Sequence, residues 1–244
     1  MATALLYARQ ALHPTGSVHL TPEAVPETLD EAYALSRTSL GGAEVAGWKL
    51  GGTNHTSKAA FGVKELYYGP LQPSEILHRP AIAPGFALAE LKGEVEIALR
   101  IGPDGSGYDA WCVALELPSS PIANLVEAGV RALVADRCAA GALILGPVQE
   151  GALPDTLSCE RFYMAVDGHD LARAGYEALV ADPAQLLADF LALAVRHGDD
   201  PRHGQWVATG GITPCRDFAA EGRVTVRMGD TEMIDFRAAT GGQP

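Results

Sequence analysis

The sharpest hydrophobic pattern in the chain is a strict period of two across residues 91–101. Read as a β-strand, it sends Val95, Ile97, Leu99 and Ile101 to one face and sets Glu94 and Glu96 side by side on the other. Residues 110–117 repeat it, with Trp111, Val113, Leu115 and Leu117 on one face and Glu116 opposite them beside Ala114 and Cys112. The turn-forming run Pro103-Asp104-Gly105-Ser106-Gly107 lies between, so the two strands are expected to neighbour each other in one sheet.

Elsewhere the pattern switches between helical and strand periods. Helices are expected over 4–12 and, more firmly patterned, over 27–40, where Leu29, Ala32, Tyr33 and Leu40 keep helical spacing, Thr28 can cap and Gly41-Gly42 stops the run. In 44–50, Val45, Gly47 and Lys49 alternate with Ala46, Trp48 and Leu50, which predicts a strand. A short helix over 56–61 is closed by Gly62 and leads to Tyr67-Tyr68-Gly69-Pro70; the proline-rich 73–84 reads as irregular. One helix is expected across 122–140, through Ile122, Leu125, Val126, Val130, Leu133 and Val134, broken at Gly141. Strands follow at 142–146 and 162–166, the latter turning at Asp167-Gly168. The clearest helix spans 183–197, opened by Asp182 and Pro183, with Leu186, Leu187, Phe190, Leu193 and Ala194 inward. A polar loop at 198–204, a strand at 206–209 and a hairpin of 223–228 with 233–237 complete the chain, without internal repeats.

Composition narrows the class. With 244 residues, 48% of them hydrophobic and 20% charged, the chain can bury a large core and is expected to be a soluble globular protein. A net charge of −12 argues against nucleic acid or an anionic membrane as partner and favours a small substrate. No apolar run is long enough to span a membrane, and the first residues lack a signal-peptide pattern, so a cytoplasmic location is expected. The four cysteines are spread without C-x-x-C spacing, which suits reduced thiols, Cys112 being small core filler. The seven histidines show no metal-ligand spacing; His197 and His203 read as part of a polar loop.

The pattern brings three glutamates together inside an apolar setting. At about 4 Å and an effective dielectric of about 20, each like-charge pair costs roughly 4 kcal/mol, so the trio needs a cation or must hold a proton. A hard divalent cation would satisfy it. The same pattern is also served by Glu94 at a solvent-facing edge, Glu96 paired with Lys92 or Arg100, and Glu116 ending its strand. Lys49 shares a face with Gly47 and Gly51, which leave room for a backbone or a ligand to approach; it can equally be a solvated strand lysine.

Four ordered segments alter this balance. Gly47-Trp48-Lys49-Leu50-Gly51-Gly52-Thr53, followed by Phe61-Gly62-Val63 and Tyr68-Gly69, resembles the G-x-K-x-G-x-T segment of the hydratase/decarboxylase branch of the fumarylacetoacetate hydrolase family. Glu94-Val95-Glu96-Ile97 is similar to its E-x-E-I strand, Ala114-Leu115-Glu116-Leu117 to its A-L-E-I strand, and Thr209-Gly210-Gly211-Ile212-Thr213 to its T-G-G-I-T loop. The resemblance implies an α+β fold, a mixed β-roll with flanking helices, in which residues 1–80 form a helical segment carrying the lysine strand, packed on a main domain of residues 81–244. It implies Mg²⁺ or Mn²⁺ held by Glu94, Glu96 and Glu116. Lys49 would be the catalytic residue that binds the substrate carboxylate or moves a proton, and Gly51, Thr53, Tyr68, Thr209 and Gly210 would line the substrate site. It further implies a homo-oligomer or a complex with a related lyase.

The activity so implied is decarboxylation of a small unsaturated 2-oxo acid of the 4-oxalocrotonate type through a metal-held enolate. Alternatives are hydration of a 2-hydroxydienoate such as 2-keto-4-pentenoate, and a catalytically weak partner subunit. Two departures bear on the choice. Tyr67-Tyr68-Gly69 stands where hydratases carry Asp-Phe-Gly, which favours the decarboxylase. Pro118-Ser119-Ser120 and Asp136-Arg137-Cys138-Ala139-Ala140 replace D-S-R and D-N-A-S-S, removing an arginine and an asparagine that could orient the substrate and adding Arg137.

Overall fold

The computed structural model describes residues 17–78, 82–83, 91–218 and 221–238; the helix expected over 4–12 lies outside them. Along the chain come α1 (Leu29–Thr38), β1 (Gly47–Gly51), α2 (His55–Phe61), β2 (Tyr67–Leu71), β3 (Ile76–His78), β4 (Ile82–Ala83), β5 (Lys92–Ile101) and β6 (Tyr108–Leu117). Then follow α3 (Leu125–Ala128), α4 (Val130–Ala135), β7 (Ala142–Leu145), β8 (Gln149–Glu150), β9 (Arg161–Val166), β10 (His169–Gly175) and α5 (Pro183–Arg196). The strands β11 (Trp206–Ala208), β12 (Arg216–Asp217), β13 (Arg223–Met228) and β14 (Thr231–Ala238) close the fold.

Two sheets carry the architecture, which is α+β as expected. A mixed nine-stranded sheet has the order β2-β1-β11-β5-β6-β7-β3, with β12 on β5 and β8 on β6. A five-stranded sheet has the order β10-β9-β13-β14-β4. Strands from 47–78 flank those from 92–208 on both sides of the larger sheet, so the lysine-bearing strand is an integral member of it. The long pair β5–β6 lies at its centre, and its alternation is the one read from the sequence. Val95, Ile97, Leu99, Trp111, Val113 and Leu115 point into the main core, with Phe162 and Val226 of the smaller sheet and Phe190 of α5. The opposite face carries small residues, Ala98, Cys112 and Ala114, which form a second cluster with Leu143, Leu145 and Trp206. Both faces are therefore buried, and any charge placed on them must be paired.

Local signals set the helix ends. Thr28 Oγ1 accepts from Glu31 N–H at 3.1 Å, and Asp182 Oδ1 accepts from Gln185 N–H at 2.9 Å with Pro183 in the first turn. Leu186, Leu187, Phe190, Leu193 and Ala194 are all buried, as their spacing predicts. On α1 the buried set is Ala32, Tyr33 and Ser36, while Leu29 is 40% exposed.

Three expectations are corrected. The helix predicted over 122–140 is interrupted at Gly129, whose φ of 83° is not helical, and ends in Arg137, Cys138 and Ala139 at φ 52°, 55° and 56°. Consecutive left-handed residues other than glycine cost about 1–2 kcal/mol each and need tertiary support, so no local pattern announces them. The proline-rich stretch read as irregular contains β3, which pairs in parallel with β7 through Ile76↔Leu143 and His78↔Leu145. Strand β10 was not foreseen, because its outer face is polar and it is formed by pairing with β9 across the Asp167-Gly168 turn.

Candidate metal centre and active site

The register of the central strands assembles the site. Strands β5 and β6 pair antiparallel with Glu94 opposite Glu116 and Glu96 opposite Ala114, so all three carboxylates share one face. One oxygen from each lies within 4.8 Å of the others. Glu96 and Glu116 are buried, at 0% and 2% exposure, and Glu94 is half-buried. The loop after β11 is fastened along β5: Thr209 N–H and Oγ1 both donate to Ile97 O, Ile212 N–H donates to Val95 O at 2.8 Å, and Val95 N–H donates to Thr213 Oγ1 at 2.9 Å. Fixed this way, the loop points the Gly210 N–H at Glu96 Oε2, 2.9 Å away. Gly210 has φ +106° and Gly211 lies against the Glu94 carboxylate, which occupies the space a Cβ would need. Gly211 is thus required by the trio, and Gly210 by its positive φ and by the Thr53 side chain that fills the space of its Cβ.

Lys49 reaches the trio from β1. The sheet order places β1 three strands from β6, through β11 and β5. On a flat sheet three steps of about 4.8 Å separate them by roughly 14 Å, well beyond a lysine side chain. Yet Lys49 Nζ is in ion-pair contact with Glu116 Oε1, so the sheet curls and this face is concave. Small side chains along it, Ala98 and Ala208 among them, leave the lysine room. Lys49 is 7% exposed; the solvated-lysine alternative is excluded. Burial pulls its ammonium pKa down, but the charge and hydrogen bond of Glu116 outweigh this and raise it.

One ammonium does not balance three carboxylates. Burial, then the charge of Glu116, pushes the Glu94 carboxyl from near 4.5 to about 7. Burial and then the charges of Glu116 and Glu94 drive Glu96 well above the usual carboxylate range. Among the described residues, no hydrogen-bond donor reaches Glu96 Oε1 or Glu116 Oε2. Buried carboxylate oxygens left without donors, clustered within 4.8 Å and supplied by oxygen ligands alone, fit a hard divalent cation.

A cavity of about 1170 Å³ opens onto this centre. Of the residues expected at the site, Lys49, Gly51, Thr53 and Glu94 line it. Glu96 and Glu116, buried beneath Glu94, and Tyr68, Thr209 and Gly210 are not among its lining residues. Tyr68 points to the other side of the sheet, where its hydroxyl donates to Asp199 at 2.6 Å and its ring packs between Tyr33 and Phe190. Thr209 Oγ1 donates to Ile97 O, and the Gly210 N–H donates to Glu96. The tyrosine at the cavity is Tyr67. Strand parity could have shown this: Lys49 pairs with Gly69 and Gly51 with Tyr67, so Tyr67 shares the face of Lys49.

Arg137 does not enter the cavity either. Its guanidinium forks onto Glu75 at 2.6 and 2.8 Å and holds the left-handed run from behind, while Cys138 and Ala139 of that run line the cavity. Positive charge at the cavity comes instead from Lys92, Arg173 and Arg216, which the motifs did not single out. Arg173 and Arg216 are exposed and, with the exposed Glu127, mark its solvent end, where the basic groups outnumber the acidic one on an otherwise acidic protein. The thiol of Cys215, also at the cavity, is pushed up to about 12 by burial and then by Glu94, which makes it a poor nucleophile.

No family model and no curated protein sequence matches the chain. Solved structures do. The 4-oxalocrotonate decarboxylase from Pseudomonas putida G7, complexed with magnesium and adipate, superposes with a TM-score of 0.83 at 21% identity, covering 97% of both chains. The same enzyme complexed with calcium and acetate gives 0.81 at 20% identity, over 97% of this chain and 95% of that one. A Yersinia pestis CO92 protein described as belonging to the fumarylacetoacetate hydrolase family gives 0.52 at 15% identity, over 78% and 91%. These likenesses show that the chain has the fold of those proteins, over 97% of its length for the decarboxylase and 78% for the Yersinia pestis protein.

Proposed function

We propose that this chain, which has the fumarylacetoacetate hydrolase fold, belongs to the hydratase/decarboxylase branch of that family and is a divalent-metal-dependent lyase. Its substrate is a small unsaturated 2-oxo acid of the 4-oxalocrotonate type, and its reaction is decarboxylation. The observation that carries the reading is the convergence of Glu94, Glu96 and Glu116 within 4.8 Å, beside a buried lysine and at the floor of a cavity with a cationic mouth. The ordered motifs and the likeness to a decarboxylase of 97% mutual coverage support it.

Glu94, Glu96 and Glu116 would hold Mg²⁺ or Mn²⁺. When bound, the ion supplies Lewis-acid polarisation of the 2-oxo acid. The protein's own groups do the rest. Gly210 N–H fixes the Glu96 carboxylate, and Gly211 lets the Glu94 carboxylate lie against the backbone. Lys49 neutralises Glu116 and keeps a positive charge at the cavity floor, where the carboxylate of an arriving acid is drawn. The mouth formed by Lys92, Arg173 and Arg216 raises the local concentration of anions against a net charge of −12. Assembly into a homo-oligomer, or with a related lyase, is part of the same proposal and is read by sedimentation or light scattering.

The test is a screen of unsaturated 2-oxo acids with Mg²⁺ and with Mn²⁺, following CO₂ and enol absorbance together. CO₂ release that stops with chelator and in Glu96→Gln is expected. Solvent oxygen entering the product without CO₂ selects hydration instead. No turnover alone, with turnover appearing when a related lyase is added, selects the partner-subunit reading.

A further inference from the structure

The face that carries Lys49 also carries a phenol that the site described so far does not use. In the β1–β2 ladder Gly51 stands opposite Tyr67 and Lys49 opposite Gly69, so Lys49 and Tyr67 are diagonal neighbours on one face. Such pairs lie about 7–8 Å apart at Cβ, within reach of an aromatic and a long side chain. Tyr67 is 6% exposed and lines the cavity. Its ring lies across Gly51: a Cβ there would come 2.8 Å from the Tyr67 hydroxyl oxygen and closer still to the ring. Phe61 braces the ring edge-on, at 6.0 Å between centroids. Gly51 is thus a seat for the tyrosine, not an open approach for substrate. Among the described residues the Tyr67 hydroxyl makes no hydrogen bond, whereas its neighbour Tyr68 spends its own on Asp199. A ring held on both sides with an uncommitted O–H at a cavity beside Lys49 is a donor waiting for an acceptor.

We propose that Tyr67 is a catalytic residue, whose hydroxyl hydrogen-bonds the reacting end of the bound 2-oxo acid and delivers the proton that completes the reaction. This rests on the lyase reading above. The carbon–carbon bond to the departing carboxylate breaks, and its electron pair shifts along the conjugated chain to the 2-oxo oxygen. CO₂ leaves, the Tyr67 O–H bond breaks, and its proton passes to that oxygen to give the neutral enol. Water entering by the cavity mouth returns a proton to the phenolate and leaves as hydroxide, which balances the proton taken up by the enol. Lys49 is less suited to this step, because its ammonium is engaged by Glu116. Burial, followed by the influence of Cys138, holds the Tyr67 phenol above its ordinary pKa even against Lys49, so it keeps its proton until the oxygen becomes basic.

The experiment compares wild type with Tyr67→Phe, which keeps the ring on Gly51 and removes only the hydroxyl. Turnover is followed as CO₂ release with Mg²⁺. Binding is followed with 2-oxoadipate, a saturated acid that lacks the conjugated path, by tyrosine difference absorbance. The expected result is a kcat lowered about 10²-fold with KM and Mg²⁺ affinity changed less than about threefold, the size of a lost general acid. A tyrosine difference band on 2-oxoadipate binding should be present in wild type and absent in the variant. A variant kcat within threefold of wild type, or a loss confined to KM, overturns the role of Tyr67 and leaves the lyase reading standing. A wild type that binds 2-oxoadipate with the band and releases no CO₂ from any unsaturated acid overturns both.

Discussion

Metal-free protein should lose stability as pH rises, and Mg²⁺ should restore it. In the folded chain the Glu94 carboxyl is raised from near 4.5 to about 7, and Glu96 moves the same way. The folded state therefore binds more protons than the unfolded chain across this window. The stabilisation is complete below about pH 4.5 and is lost as pH climbs through about 7 and beyond. For Glu94 alone the displacement corresponds to about 3 kcal/mol. For a chain of this length that is roughly 6 °C in melting temperature. A bound divalent cation replaces the proton as counter-charge, and at 100 times its dissociation constant contributes about 2.7 kcal/mol. Thermal melts in EDTA and in saturating Mg²⁺, at pH 5 and pH 8, are the assay. The Mg²⁺-induced rise should be under about 2 °C at pH 5, where protons compete, and roughly 5 °C at pH 8. Glu96→Gln subtracts the histidines and surface groups common to both proteins; its metal-free melts should slope less with pH and its Mg²⁺ response should shrink. Equal Mg²⁺ shifts at both pH values, or parallel pH profiles in the two proteins, would refute the electrostatic account of the trio.

Gly211→Ala places a methyl in the Glu94 carboxylate, so Mg²⁺ affinity should fall at least about tenfold by calorimetric titration, as for other groups that position a ligand. Tyr68→Phe removes a hydrogen bond to Asp199 on the far side of the sheet; urea unfolding should show a loss of about 1.5–3 kcal/mol while Mg²⁺ affinity is unchanged. Glu75→Gln removes the carboxylate charge that the buried Arg137 guanidinium, at 5% exposure, grips with two hydrogen bonds beside the left-handed run. That variant should unfold about 3–5 kcal/mol more easily in urea, with the wall formed by Cys138 and Ala139 disturbed.

Local pattern was informative where one period dominated. The alternation around Glu94 and Glu116 specified two strands, their apolar faces and the shared polar face, because a one-residue slip would turn every side chain over. Asp182-Pro183 marked the start of α5, and its apolar stripe named every inward residue. The break at Gly129 and the left-handed turn at Arg137 were hidden, since an apolar stripe runs on through 122–135 while the reversed backbone is held by distant contacts, the fork onto Glu75 and the Ser119 N–H donated to Ala139 O among them. The two adjacent tyrosines were indistinguishable until β2 was paired with β1.

What the amino-acid sequence by itself determined was the set of donors: three carboxylates on the polar faces of two neighbouring strands, a lysine beside small residues and a T-G-G-I-T loop to fasten them. Their meeting was decided by the tertiary structure. Lys49 and Glu116 stand three strands apart, and only a curled sheet lined with alanines brings an ammonium across that gap into contact with a buried acid. That curvature joins strands far apart in sequence, with α5 and the smaller sheet packed on the opposite face, and no single window of residues contains it.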